Sequence, residues 1–217
     1  MVTLAGTGRV ADDLFLMAHD EVSGRPYLSP RAAGLGLAGG LLAELVLGGH
    51  AGVGDGGIVL AGRAVPADGL ARAVLDAVAG QARRYGLREW LAFLARASER
   101  DVGLRLARAG YLREARGWWL RGRCGWAPAD PDCAFAAVVR ARAALDVSRP
   151  CPAGQVVLAG LAGACGLGSR FLQYGPPDAR SCLDAAVRGL SPDLRDLVAW
   201  TQAAADSAVL SYRRSGA

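Results

Sequence analysis

The chain has 217 residues, 52% of them hydrophobic and 21% charged, with a formal net charge of +5. That length can bury a sizeable core, and the apolar balance excludes a disordered or collagen-like chain. All 25 basic residues are Arg, with no Lys, no Asn and one Ile (Ile58), as a GC-rich codon bias produces, so the Arg usage alone says nothing about phosphate recognition.

In chain order, "VADDLFLMAH" (Val10–His19) reads as a short helix, followed by a turn at "SGRPY". Ser29-Pro30 is a helix start, with Ser29 as N-cap and Pro30 in the first helical position. The predicted helix runs to Leu47 and stops at Gly48-Gly49. Inside it lies Gly34-x-Gly36-x-x-Gly39, with Asp55 some way downstream, which matches the dinucleotide-binding pattern as a string. That pattern needs a buried strand before the first Gly. Leu28–Ala33 supplies none, and Pro30 interrupts any ladder. Gly36, Gly39 and Gly40 are read instead as places where another helix comes close. The same stretch approaches a transmembrane span and holds Gly36-x-x-x-Gly40, but Glu44 interrupts it and it falls short of about 20 residues. It is read as a buried core helix.

"HAGVGDGGIVLAGRAV" (His50–Val65) reads as a small hairpin turning near Asp55. Asp68 caps a helix predicted from Gly69 to Arg84, with Leu70, Val74, Leu75 and Val78 at helical spacing. Helices over Leu87–Ala97 and Asp101–Ala109 follow, the second ended by Gly110. "YLREARGWWLRGRCGW" (Tyr111–Trp126) reads as a strand pair. Further helices are predicted over Cys133–Leu145, Gly154–Cys165, Arg180–Arg188 and Asp193–Tyr212. No repeat appears, and no linker is polar or long enough to split the chain. The expected fold is mainly α: one helical-bundle domain over residues 1–217 with peripheral β-hairpins.

Catalytic signatures are scarce. Cys124, Cys133, Cys151, Cys165 and Cys182 form no C-x-x-C pair, and His19 and His50 add no zinc-ligand spacing. Reduced, mostly buried thiols are expected. Asp12, Asp13, His19, Asp20 and Glu21 gather where Asp12 or Asp13 shares a helix face with His19 or Asp20; a catalytic metal needs a third ligand that the rest of the chain does not offer, and a helix with charged ends is the simpler reading. There is no G-x-S-x-G, Walker loop or Cys–His neighbourhood, so no enzymatic activity, metal or cofactor is expected. Asp12 and Asp13 also stand where a signal peptide would be apolar, and a cytoplasmic protein is expected.

Charge is concentrated. Between Arg83 and Arg123 eleven Arg stand against Glu89, Glu99, Asp101 and Glu114, a local excess of seven, which points to an anionic partner or to a solvated helix face. Three readings fit. Two helices followed by a strand pair suit a winged helix-turn-helix on DNA, with Arg100, Arg105 and Arg108 on the reading helix. Trp118, Trp119 and Leu120, edged by Arg116, Arg121 and Arg123, suit a membrane interface, where each Arg contributes on the order of 1 kcal/mol near anionic lipid. The same Trp pair equally suits core packing or a homo-oligomer contact through the hairpin. Nucleic acid is the least favoured of the three.

"ADDLFLMAHDE", "SGRPYLS", "GLAGGLLAELVLGG", the "GIVL" hairpin and "LRLARAGYLREARGWWL" occur in an order that resembles the Golgi phosphoprotein 3 family over roughly residues 8–212, its bacterial branch especially. The resemblance implies a mainly helical domain with a projecting hydrophobic hairpin. It also implies peripheral membrane binding through phosphatidylinositol 4-phosphate, with an adaptor role for glycosyltransferases in Golgi members. The family's headgroup pocket uses a Trp shortly before the Gly-Gly helix and an Arg immediately before Gly-Gly; these fall near Ser29 and on Ala38. Tyr27 and Arg31 are the nearby candidates. Of two basic residues one turn apart, the first aligns with Arg96 and the second with Glu99, one step from Arg100. The membrane-inserting hairpin aligns with Trp118, Trp119, Leu120 and Arg121. The implied partner is an anionic, phosphoinositide-type membrane.

Overall fold

The computed structural model describes residues 7–54, 56–62, 65–81, 83, 85–115, 125–146, 148–173 and 175–215. Among these, the elements in order are α1 (Val10–Met17), α2 (Pro30–Leu47), β1 (Ala51–Gly54), β2 (Gly57–Leu60), α3 (Gly69–Ala79), α4 (Leu87–Leu94), α5 (Ser98–Arg108), β3 (Leu112–Ala115), β4 (Gly125–Pro128), α6 (Pro131–Arg142) with a 3-10 turn at Ala143–Leu145, α7 (Ala153–Ala164), α8 (Gly168–Leu172), α9 (Ala179–Arg188) and α10 (Pro192–Ser215). The fold is mainly α, as expected, with two small antiparallel hairpins as its only sheets among the described residues.

Helix α2 is the axis of the molecule. Ser29 Oγ accepts the Ala32 N–H at 3.3 Å and Pro30 fills the first turn, so the helix starts where the sequence says it must. Every residue from Ala32 to Ala43 is buried, and a helix apolar on all faces needs neighbours on all faces. Its glycines admit them. A Cβ on Gly36 would meet Leu14 at 3.0 Å, and one on Gly40 would meet the Ala11 backbone at 2.9 Å, so α1 lies along this face. On Gly39 it would meet Thr201 at 2.7 Å and Leu161 at 3.0 Å, where α10 and α7 pack. The helix is long and apolar enough to cross a membrane, yet 72% of it is buried inside the fold. One contiguous apolar core joins α1, α2, α7 and α10 to the inner faces of the remaining helices.

Several boundaries differ from expectation. α3 ends at Ala79 and not at Arg84, because Gly80 caps it and the chain must turn back toward the first hairpin, where Gly86 bridges Gly57 and Leu87 N–H reaches Gly56 O at 2.6 Å. α4 stops at Leu94 and α5 starts at Ser98, earlier than Asp101, with a tight turn at Ala95–Ala97 between them. α8, five residues long, carries too little apolar period to be seen in the sequence.

The second hairpin pairs Leu112 with Pro128 and Ala115 with Gly125. Its base is fixed: the Trp126 indole covers Gly103 of α5, so close that a Cβ there would sit 3.1 Å from the ring. Trp118, Trp119, Leu120 and Arg121 belong to residues 116–124 and lie outside the described residues.

Candidate functional site

Arg31 stands in the first turn of α2, and Arg96 in the turn between α4 and α5; both are exposed. The joint that brings these two segments together is tight. A Cβ on Gly34, one turn beyond Arg31, would lie 2.5 Å from the Ala95 carbonyl oxygen, so only Gly lets the α4–α5 turn sit on α2. Ser98 then donates its hydroxyl to Gly34 O at 2.9 Å, a buried bond that seals the joint. Arg31 and Arg96 therefore flank one contact between two packed elements, beside a helix N-terminus whose partial positive charge favours anions.

The other candidates have the following partners. Arg100 is 73% exposed and lies against Asp101 at 2.9 Å, a surface pair worth about 0–1 kcal/mol. Tyr27 donates its hydroxyl to Asp20 Oδ2 at 2.9 Å and to Glu21 Oε2 at 3.3 Å, and the Arg170 guanidinium covers its ring at 3.9 Å. Partial burial and the bond to Asp20 push the phenol up to about 12. Its hydroxyl thus faces two carboxylates. Ala38, where the resemblance puts an Arg, is fully buried and offers nothing to a headgroup.

Toward the other end of α2 lies a charge cluster that the sequence reading missed. Arg105 has a side chain only 9% exposed, and it meets Asp12 Oδ1 at 2.6 Å, Glu44 Oε2 at 3.0 Å and Asp68 Oδ2 at 3.0 Å. Glu44 Oε1 also accepts the Ala11 N–H at 2.8 Å, and Asp68 caps α3 through the Ala71 N–H at 2.9 Å. One guanidinium thus ties α5 to α1, α2 and the start of α3. Burial raises Asp12 and Glu44 above the usual carboxylate range despite Arg105. At Asp68 burial also pushes upward, but the Ala71 N–H and Arg105 outweigh it and the carboxyl is lowered. Arg105 itself is raised by Glu44 and Asp12 against the pull of burial. Asp13 is held separately by Arg140, with Nε at 2.6 Å and a second nitrogen at 2.7 Å.

These pairs bear on two readings that the sequence left open without favouring them. Arg105 does not face a ligand, so the helix offered for DNA reading turns Arg105, Val102 and Leu106 inward. Asp12 and Asp13, read from the sequence as charges at a helix end, are instead buried and each paired with an Arg from another helix. His19 stacks on Phe15 at 4.2 Å and donates from Nδ1 to Phe15 O at 2.8 Å. Among the described residues no group of three His, Cys, Asp or Glu is placed to hold a metal. Glu44, the one charge in an otherwise apolar helix interior, was the available signal for a buried partner.

The family model for Golgi phosphoprotein 3 (GPP34) matches residues 10–210. The chain belongs to the Golgi phosphoprotein 3 family. A search of curated proteins found no matching relative. Family membership agrees with the mainly helical fold, and the match begins at α1 and ends within α10, so it takes in the Arg105 cluster, the Gly34 joint and both hairpins.

Proposed function

We propose that this member of the Golgi phosphoprotein 3 family is a peripheral membrane protein that binds anionic, phosphoinositide-type headgroups. Arg31 and Arg96 are its principal cationic contacts and Arg100 an accessory one. The segment with Trp118, Trp119, Leu120 and Arg121 is its inserted anchor. The observation that supports this reading is the Gly34 joint, which packs the turn carrying the exposed Arg96 against the first turns of α2, where Arg31 is also exposed. The family's membrane association supports it, as does the base of the second hairpin, pinned by Trp126 to α5. With Ala38 buried and Ser29 in place of an aromatic residue, selection rests on charge more than on a fitted 4-phosphate pocket.

A headgroup phosphate would be met by guanidinium donors, which suit phosphate geometry, and rings at headgroup depth would add apolar contact. Each Arg contributes on the order of 1 kcal/mol at an anionic surface. Vesicle flotation of Arg31→Ala plus Arg96→Ala tests it: the pair is expected to weaken partitioning about thirtyfold at low salt. Unchanged flotation would remove the joint from the site. A winged-helix role on DNA predicts instead salt-sensitive duplex binding, and the inward turn of Arg105 weighs against it.

A further inference from the structure

Between the end of α3 and the outer face of α4, Gln81, Tyr85, Glu89, Trp90 and Phe93 line a small pocket of about 190 Å³. Its walls are aromatic rings set edge to face. The Tyr85 and Trp90 centroids are 5.9 Å apart at 81°, and those of Trp90 and Phe93 are 5.8 Å apart at 85°. Phe93 is 51% exposed and leaves one ring edge of the pocket open to a ligand. Trp90 at 4% exposure is the fixed wall, anchored in the core beside Leu87 and Leu91. Phe93 stands three residues beyond Trp90 and four beyond Glu89 on the helix, so ring and carboxylate both border Phe93.

The protein already shows what these rings attract. The Arg83 guanidinium lies 5.4 Å from the Tyr85 centroid, and one of its nitrogens is 3.9 Å from Glu89 Oε1. Arg83 has a side chain 75% exposed, so it is a loosely held cation at the border of the pocket and not its filling. Rings at right angles, a bordering carboxylate and a cation drawn to one ring together make a receptor for positive charge without hydrogen-bond donors. A primary ammonium would bring three N–H groups to walls whose acceptors are the side chains of Glu89, Gln81 and Tyr85, with one Glu89 oxygen already taken by the Gly86 N–H, and any N–H left unpaired is unfavourable. A quaternary ammonium brings none. The pocket is below the roughly 300 Å³ of a drug-sized site but suits one methylated ammonium head.

We propose that Tyr85, Trp90, Phe93 and Glu89 form a cation–π site for a quaternary ammonium group, supplied by a choline-type lipid headgroup or by a free choline-type solute. The site lies on α4, the helix whose following turn carries Arg96, but it does not depend on the anionic-lipid reading. Its ligand has the opposite charge and its walls are different residues.

An NMR titration of the labelled protein with choline chloride, against sodium chloride at matched ionic strength, tests it directly. Saturable shifts confined to α4 and the Tyr85 segment are expected, with ethanolamine binding more weakly. Phe93→Ala, half exposed and so tolerated by the fold, is expected to weaken choline about fivefold, and Glu89→Gln, which keeps an acceptor for the Gly86 N–H, to weaken it as well. A second arm compares vesicles of equal anionic content made with phosphatidylcholine or phosphatidylethanolamine. Tighter binding to the former identifies the lipid as source, whereas choline binding with no such preference identifies a free solute. Absence of saturable choline binding, or choline binding unaltered in Phe93→Ala, would overturn the proposal. Either result leaves the flotation test of Arg31 and Arg96 untouched.

Discussion

Arg105 holds Asp12, Glu44 and Asp68 at once, and its loss is expected to be among the most damaging single changes in the protein. Arg105→Met leaves the buried Asp12 and Glu44 without their nearest counter-charge and should destabilise by about 3–5 kcal/mol near neutral pH in urea denaturation. The pH dependence has a definite sign. Burial raises Asp12 and Glu44 in the folded state, so the folded protein binds protons that the unfolded chain releases. Their contribution is present below the ordinary values of 3.8 and 4.5 and is lost as pH rises through the raised ones. Without Arg105 both rise further, so the variant's deficit should shrink as pH falls from neutral and the two carboxyls take up protons. Asp20 runs the other way: bonds from Ser23 lower it to about 2, so its contribution is lost as pH falls from 3.8 toward that value, and Asp20→Asn should flatten the acid limb there. None of the Arg105 pairing was legible in the sequence, since its partners come from three elements far apart in the chain. What could be read was the anomaly of Glu44 within an apolar helix.

At the scale of the element, α2 was the most legible part of the chain because its signals are local. Ser29, Pro30, Gly48 and the run of small apolar residues between them fix its ends and its burial. The glycines that resemble a nucleotide loop serve helix contacts, as the missing strand before Gly34 indicated. Gly34→Ala sets a Cβ against the Ala95 carbonyl, and Gly40→Ala sets one against the Ala11 backbone; each should lose about 1–3 kcal/mol by chemical denaturation. Gly69→Ala, with open space around it and helical backbone, should instead gain about 0.4–1 kcal/mol. Equal losses at all three positions would mean that the close approaches do not matter. Helix ends were less legible where a tertiary partner decides them: α3 stops early so that Tyr85–Leu87 can meet the first hairpin, and α4 stops so that Ala95 can meet Gly34.

On the scale of the whole molecule, the charge excess between Arg83 and Arg123 divides into different roles. Arg105 is structural, Arg100 and Arg83 pair at the surface, and Arg96 stands exposed at the joint with α2. Composition alone could not make that division, because exposure is set by packing. In the proposed account the exposed cations and the Trp118 segment act together. Trp118→Ala plus Trp119→Ala should therefore weaken vesicle binding at least about tenfold, since buried aromatic surface adds to charge at the interface. Liposome co-sedimentation of the intact protein tests the central claim most directly. It uses neutral vesicles, vesicles with a generic anionic lipid and vesicles with phosphatidylinositol 4-phosphate, each at low and moderate salt. The account predicts weak pelleting with neutral vesicles and strong pelleting with both anionic kinds at low salt, falling as salt screens the Arg contacts. Pelleting that ignores lipid charge and salt, or no pelleting at all, would contradict it.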